Sequence, residues 1–165
     1  MNEIDLRQNQ LTLKEKRGSL IARLFIYLLT VFVTALPLSG LIANITNGGL
    51  SMLTVFIYGI FGLIAFYMLR VSLWNTYGAE IIHFEKNKLT YTADYRWFKD
   101  GLKEFDFEKI DFSLKKIGYD ENNKAVLVIK FDKDVMFETV SRLPLADLED
   151  LITNLTAIHS RRQTL

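Results

Sequence analysis

The sequence predicts a membrane-spanning α-helical hairpin joined to a small α+β domain. Three observations point there. The first is a run of 46 residues, Leu24 to Leu69, without one Lys, Arg, Asp, Glu or His. The second is an apolar/polar alternation of period two that sets in after residue 75, and the third is a Leu-rich stripe at helical spacing near the C-terminal end.

The charge-free run fixes the hairpin. A spanning helix needs about 20 apolar residues, so 46 make two spans and a turn. A water-exposed helix of that length would carry a polar face. Asn44-Ile45-Thr46-Asn47-Gly48-Gly49 supplies the turn. The spans are expected at about residues 20–43 and 50–73. A cleaved signal peptide fits poorly, because its apolar region covers about 7–15 residues and no second span follows it. Basic residues flank the outer ends (Lys14, Lys16, Arg17, Arg23 and Arg70) and none lies in the turn. Both termini are therefore expected on the cytoplasmic side.

Residues 1–18 scatter Ile4, Leu6, Leu11 and Leu13 among charges. A cytoplasmic N-terminal tail is expected, with a short helix on the membrane surface as the alternative. Residues 19–74 form the hairpin, and Trp74, Asn75 and Tyr77 mark the membrane interface. From residue 75 to 160 the period changes. Ile81–Glu85, Leu89–Tyr95, Phe105–Phe107, Ile110–Leu114, Ala125–Phe131 and Val135–Val140 read as strands. Turns are expected at Lys86-Asn87, at Tyr119–Asn123 and at Asp132-Lys133-Asp134, with a loop from Arg96 to Gly101. A final helix begins near Pro144, with Leu145, Leu148, Leu151, Ile152, Leu155 and Ile158 on one face, Asp147, Glu149 and Asp150 at its start, and Arg161 and Arg162 at its end. Residues 161–165 are a tail. Six or seven short antiparallel strands capped by one C-terminal helix describe a pleckstrin-homology-like antiparallel barrel.

The two-span hairpin, then Trp74-Asn75-Thr76-Tyr77-Gly78 leading into Glu80-Ile81-Ile82, resembles bacterial two-span membrane proteins with a C-terminal pleckstrin-homology-like domain of the YcxB type. Phe107-Glu108-Lys109-Ile110, Leu114-Lys115-Lys116 and the helix from Pro144 extend the likeness over most of residues 19–160. The resemblance implies a bacterial inner (plasma) membrane location and carries no catalytic or ligand residues with it. Lipid-binding pleckstrin-homology domains place a basic cluster in the first hairpin, where this chain has only Lys86 and Lys88 beside Glu85. Inositol-lipid binding is not implied.

Composition narrows the function. Apolar residues make up 50% of the chain, which excludes a disordered protein. Twenty basic against 19 acidic residues, net +1, leave no excess to neutralise nucleic-acid phosphates. With no cysteine and two histidines, His83 and His159, thiolate zinc sites and most histidine metal sites are excluded. Gly-rich phosphate loops and hydrolase motifs are missing, so no catalytic, cofactor or metal residues are predicted. His83 reads as a surface or cross-strand residue, and His159 as a cation at the helix end. The missing charge at mid-bilayer argues against ion-coupled transport by this chain alone.

Two interaction candidates remain. Arg96-Trp97-Phe98-Lys99 sets two aromatic rings between cations, suited either to a binding or membrane-contact tip or to one ring capping the sheet. Lys103, Lys115 and Lys116 could extend its charge, although residues 75–165 hold 16 acidic and 14 basic residues. Gly59, Gly62 and Ala65 form a small-residue strip for helix packing, against the first span or a neighbouring protein. The expectation is a non-enzymatic protein integral to the lipid bilayer, with a protein partner or a second copy of itself, acting as accessory subunit, scaffold or immunity protein. The alternative is a ligand-gated membrane effector with a cyclic-nucleotide sensor domain.

Overall fold

The structure, a computed structural model, describes residues 4–7, 9–14, 17–46, 49, 51–117, 123–132 and 135–163. Residues 119–122 and 133–134 of the expected turns, part of the turn at 44–49, and the side chains of Arg161 and Arg162 lie outside what is described. The chain divides into two units, residues 17–77 and residues 1–16 with 78–165.

The helical unit is α1 (Leu20–Thr46) and α2 (Met52–Tyr77), close to the expected spans and each long and apolar enough to cross a membrane. At 1.5 Å per residue each is about 40 Å long. Side-chain hydroxyls cap both starts: Ser19 Oγ accepts the Ala22 N–H at 3.2 Å and Ser51 Oγ the Thr54 N–H at 3.2 Å. Most of both helix surfaces is uncovered and apolar; Ile21 is 80% and Met52 92% exposed. Water would penalise such a surface, whereas lipid does not. Polar contacts join the pair. Thr30 and Ser72 share a buried hydroxyl–hydroxyl bond of 2.9 Å, and Asn44 Nδ2 donates to Tyr58 Oη at 3.1 Å.

The other unit is antiparallel throughout. Its first sheet runs in the order β1 (Ile4–Arg7), β2 (Gln10–Leu13), β3 (Ala79–Phe84), β4 (Lys88–Asp94), β5 (Lys99–Asp106). Its second has β6 (Ile110–Lys116), β7 (Lys124–Phe131) and β8 (Met136–Glu138), with β9 (Leu143–Pro144) also on β7. Helix α3 (Leu145–Gln163) packs on β6, β7 and β9 and buries Leu148, Leu151 and Leu155. Aromatic pairs join the sheets: Phe84 with Phe112 at 6.0 Å, Tyr91 with Phe137 at 4.7 Å and Phe105 with Phe131 at 4.8 Å between centroids.

Two expectations are corrected. Residues 4–13 are not a frayed tail or a surface helix but a strand hairpin. Leu11 pairs with Ile82 and Leu13 with Glu80, and both leucines are fully buried. The apolar surface of two leucines, worth about 1.5–3 kcal/mol each, gives the reason. Neither is the strand set a closed barrel. The two sheets are open, and no β5–β6 pairing joins them among the described residues.

Candidate functional site

Strand register gathers the candidate residues at one end of the first sheet. Leu13 closes β2 opposite Glu80, Ala79 opens β3 opposite Asp94, and Asp94 pairs with Lys99 across the β4–β5 turn. The chain therefore leaves for α1, returns from α2 and turns through residues 95–98 at the same sheet end.

That turn is tight. The Tyr95 N–H donates to the Phe98 carbonyl at 3.0 Å and the Arg96 N–H to Asp94 Oδ1 at 2.6 Å, with Arg96 in the left-handed region at φ 73°. Phe98 folds back and stacks on Tyr95, rings 4.7 Å apart and 14° from parallel. Trp97 points outward and is 71% exposed. One ring thus packs back on the sheet and the other is presented outward, beside exposed Arg96 and Lys99. Two of the three lysines expected to extend its charge, Lys103 and Lys115, have contacts elsewhere. Lys103 lies 5.6 Å over the Phe137 ring, and Lys115 pairs with Glu138 at 2.8 Å on the second sheet.

Beside the turn sits a carboxylate that sequence reasoning passed over. Glu80 is fully buried, and its oxygens accept the N–H groups of Val140 at 2.8 Å and Ser141 at 2.6 Å. This draws the β8–β9 connection, with exposed Val140 and Arg142, to the start of β3. Tyr91 lies in the same environment. Burial pushes its phenol above the ordinary range, and the neighbouring Glu80 carboxylate pushes it further. The folded state thus holds this proton more tightly than the unfolded chain, whose phenol ionises near pH 10. The stabilisation is complete below about pH 10 and is lost as pH rises through the higher folded value. The urea midpoint of the sheet domain is expected to fall above about pH 10, and Tyr91→Phe to reduce that fall. Titrating the midpoint by near-ultraviolet circular dichroism checks it.

A cavity of about 710 Å³ opens at the opposite sheet end, by the β3–β4 turn. Phe105, Phe107 and Phe131 wall it, and Glu104, Asp106, Glu108 and Asp132 rim it. Two of these acids are engaged: Glu104 pairs with Lys88 at 2.8 Å, and Asp132 accepts the N–H groups of Glu108 and Lys109. No cluster suited to a metal ion occurs among the described residues. His83 is exposed, as expected for a surface position. His159, expected at the helix end, is buried there against Phe84, Phe107 and Phe112, with centroids 5.6–6.1 Å away.

In the helical unit, a Cβ added at Gly59 or Gly62 would meet nothing within 4 Å, so neither glycine sits in a close helix contact. Gly62 and Ala65 instead line a shallow groove of about 150 Å³ with Thr34, Pro37, Tyr58 and Phe61. The close approach falls at Gly40, where a Cβ would lie 2.8 Å from Tyr58 Oη.

Comparison with family models, curated proteins and solved structures finds no match. The functional reading therefore rests on geometry and chain order.

Proposed function

We propose that this is a non-enzymatic integral membrane protein whose sheet domain mediates protein interaction or assembly at the bilayer surface, as an accessory subunit, scaffold or immunity protein. The observation that carries the reading is the position of the helices in the chain. Both apolar helices lie between β2 and β3, which are paired neighbours in one sheet. A sheet so interrupted holds both outer helix ends on its own side of the bilayer. Basic residues at those ends and their absence from the α1–α2 connection favour the cytoplasmic side, and the YcxB-type resemblance favours a bacterial inner membrane. That resemblance also supports reading β2–β5 facing β6–β8, with α3 against the second sheet, as an open pleckstrin-homology-like domain.

The charge of the cavity weighs against the cyclic-nucleotide effector, because Asp106 and Glu108, beside the engaged Glu104 and Asp132, disfavour an anionic ligand. The test is purification of the full chain in mild detergent, with mass spectrometry of co-eluting proteins and measurement of its own oligomeric state. A stoichiometric partner or a homo-oligomer is expected; a monomer eluting alone overturns the assembly role. For sidedness, the cysteine-free sequence allows Ser51→Cys and Lys86→Cys to be labelled with an impermeant maleimide in intact spheroplasts. Residue 51 is expected to react before lysis and residue 86 only after it.

A further inference from the structure

We infer that the end of the sheet domain bearing the 95–98 turn and the β8–β9 connection is a lipid-contact rim that seats on an anionic bilayer surface. The inference rests on the proposal that α1 and α2 cross the membrane. Given that, connectivity alone fixes the neighbourhood. Tyr77 ends α2, and Ala79 follows two residues later, at most about 7 Å along the chain. Ala79 faces Asp94 at the roughly 5 Å of a cross-strand pair. The turn that carries Trp97 starts at the next residue. Glu80, adjacent to Ala79, holds the Val140 and Ser141 amides and so fixes the second loop at the same end.

The side chains exposed there fit a lipid surface. Trp97 and Val140 are 71% and 58% exposed, and Trp is the ring that partitions best between acyl chains and headgroups. Arg96, Lys99 and Arg142 are exposed around them and meet anionic headgroups. Two carboxylates share the loop, and both accept backbone N–H groups: Asp94 from Arg96 and Asp100 from Gly101, each at 2.6 Å. Phe98, packed on Tyr95, stiffens the turn, so the rim is presented on a rigid support rather than a loose loop. A partner protein could also cover an exposed Trp. The lipid reading is favoured because the rim lies where the chain enters the helices and its fixed charges complement acidic headgroups.

The experiment uses the full chain in nanodiscs containing lipids brominated along the acyl chain. A Trp74→Phe background leaves Trp97 as the sole indole. In separate variants Val140→Cys and Lys86→Cys carry an environment-sensitive fluorophore, the second at the far β3–β4 turn, about 20 Å along the strand. Trp97 and the label at 140 are expected to be quenched on bilayers rich in phosphatidylglycerol, while the label at 86 is not. Removal of any one of Arg96, Lys99 and Arg142 is expected to lower the ratio of docked to undocked domain about fivefold. Equal quenching at 86, 97 and 140, or quenching indifferent to lipid charge, overturns the inference. Loss of Trp97 quenching with the chain still embedded refutes the rim alone. A chain that stays in solution without detergent or lipid refutes the membrane reading beneath it.

Discussion

Residues 78–165 produced without residues 1–14 are expected to aggregate, and joining 1–14 directly to residue 78 through a short Gly/Ser linker is expected to restore a soluble, cooperatively folding domain. Deleting β2 strips the β3 edge of its partner and removes Leu11 and Leu13, both fully buried. Truncating one buried leucine to alanine typically costs about 2–5 kcal/mol, so losing two approaches the whole stability of a small domain, about 5–15 kcal/mol. The unpaired β3 edge would also offer N–H and C=O groups to other chains. Soluble yield, size-exclusion profile and thermal melt of the two forms decide the matter. A well-folded 78–165 fragment would show that the N-terminal hairpin is an accessory to the sheet rather than a member of it.

Glu80→Ala is expected to be the most damaging single substitution in the sheet domain. It would leave the Val140 and Ser141 amides without their acceptor, and hydrogen bonds to a charged group are worth about 1.5–3 kcal/mol each, giving a loss of about 3–6 kcal/mol. Glu80→Gln keeps one acceptor oxygen and is expected to lose roughly half as much. The diagnostic is local. Amide exchange at 140 and 141 should accelerate more than exchange in β7, which stays paired with β6 through residues 110–116. An alanine variant whose stability falls by less than about 0.5 kcal/mol would show that Glu80 does not anchor the β8–β9 connection.

Glu80 also shows why part of this molecule was readable and part was not. The helices were legible because a charge-free run long enough to span a bilayer owes nothing to tertiary context. Strands β4 and β6 were legible through alternation, as in Leu89, Tyr91 and Ala93 buried between half-exposed threonines, and β7 through its apolar run, whereas β5 begins inside the loop expected from 96 to 101 and β9 was not foreseen. Glu80 lay in plain view, in phase with Ile82 and Phe84 on the apolar face of β3. A carboxylate in that phase signals a buried acceptor awaiting N–H groups. Its partners sit 60 and 61 residues away, and no local pattern announces them.

The N-terminal hairpin was hidden for a similar reason. Ile4-Asp5-Leu6 and Leu11-Thr12-Leu13 alternate correctly, but each strand has only four residues and the one that covers them follows two intervening helices. Closure of the barrel depended on whether β5 and β6 pair, a non-local matter on which alternation is silent. In the 95–98 turn, sequence offered two aromatic rings and no means to rank them. The folded turn ranks them, with Arg96 at positive φ, Phe98 stacked on Tyr95 and Trp97 exposed.

If α1 and α2 cross the bilayer as proposed, their place between paired strands dictates an order of events during biosynthesis. Strand β2 leaves the ribosome before either helix, yet its neighbour β3 emerges only after residues 14–78 have been made, several seconds later at about 5–20 residues per second. Throughout that interval Leu11 and Leu13 have no β3 to cover them. On that reading, completion of the sheet is a checkpoint on insertion: only a nascent chain that has delivered both helices and returned to its starting side can close the ladder.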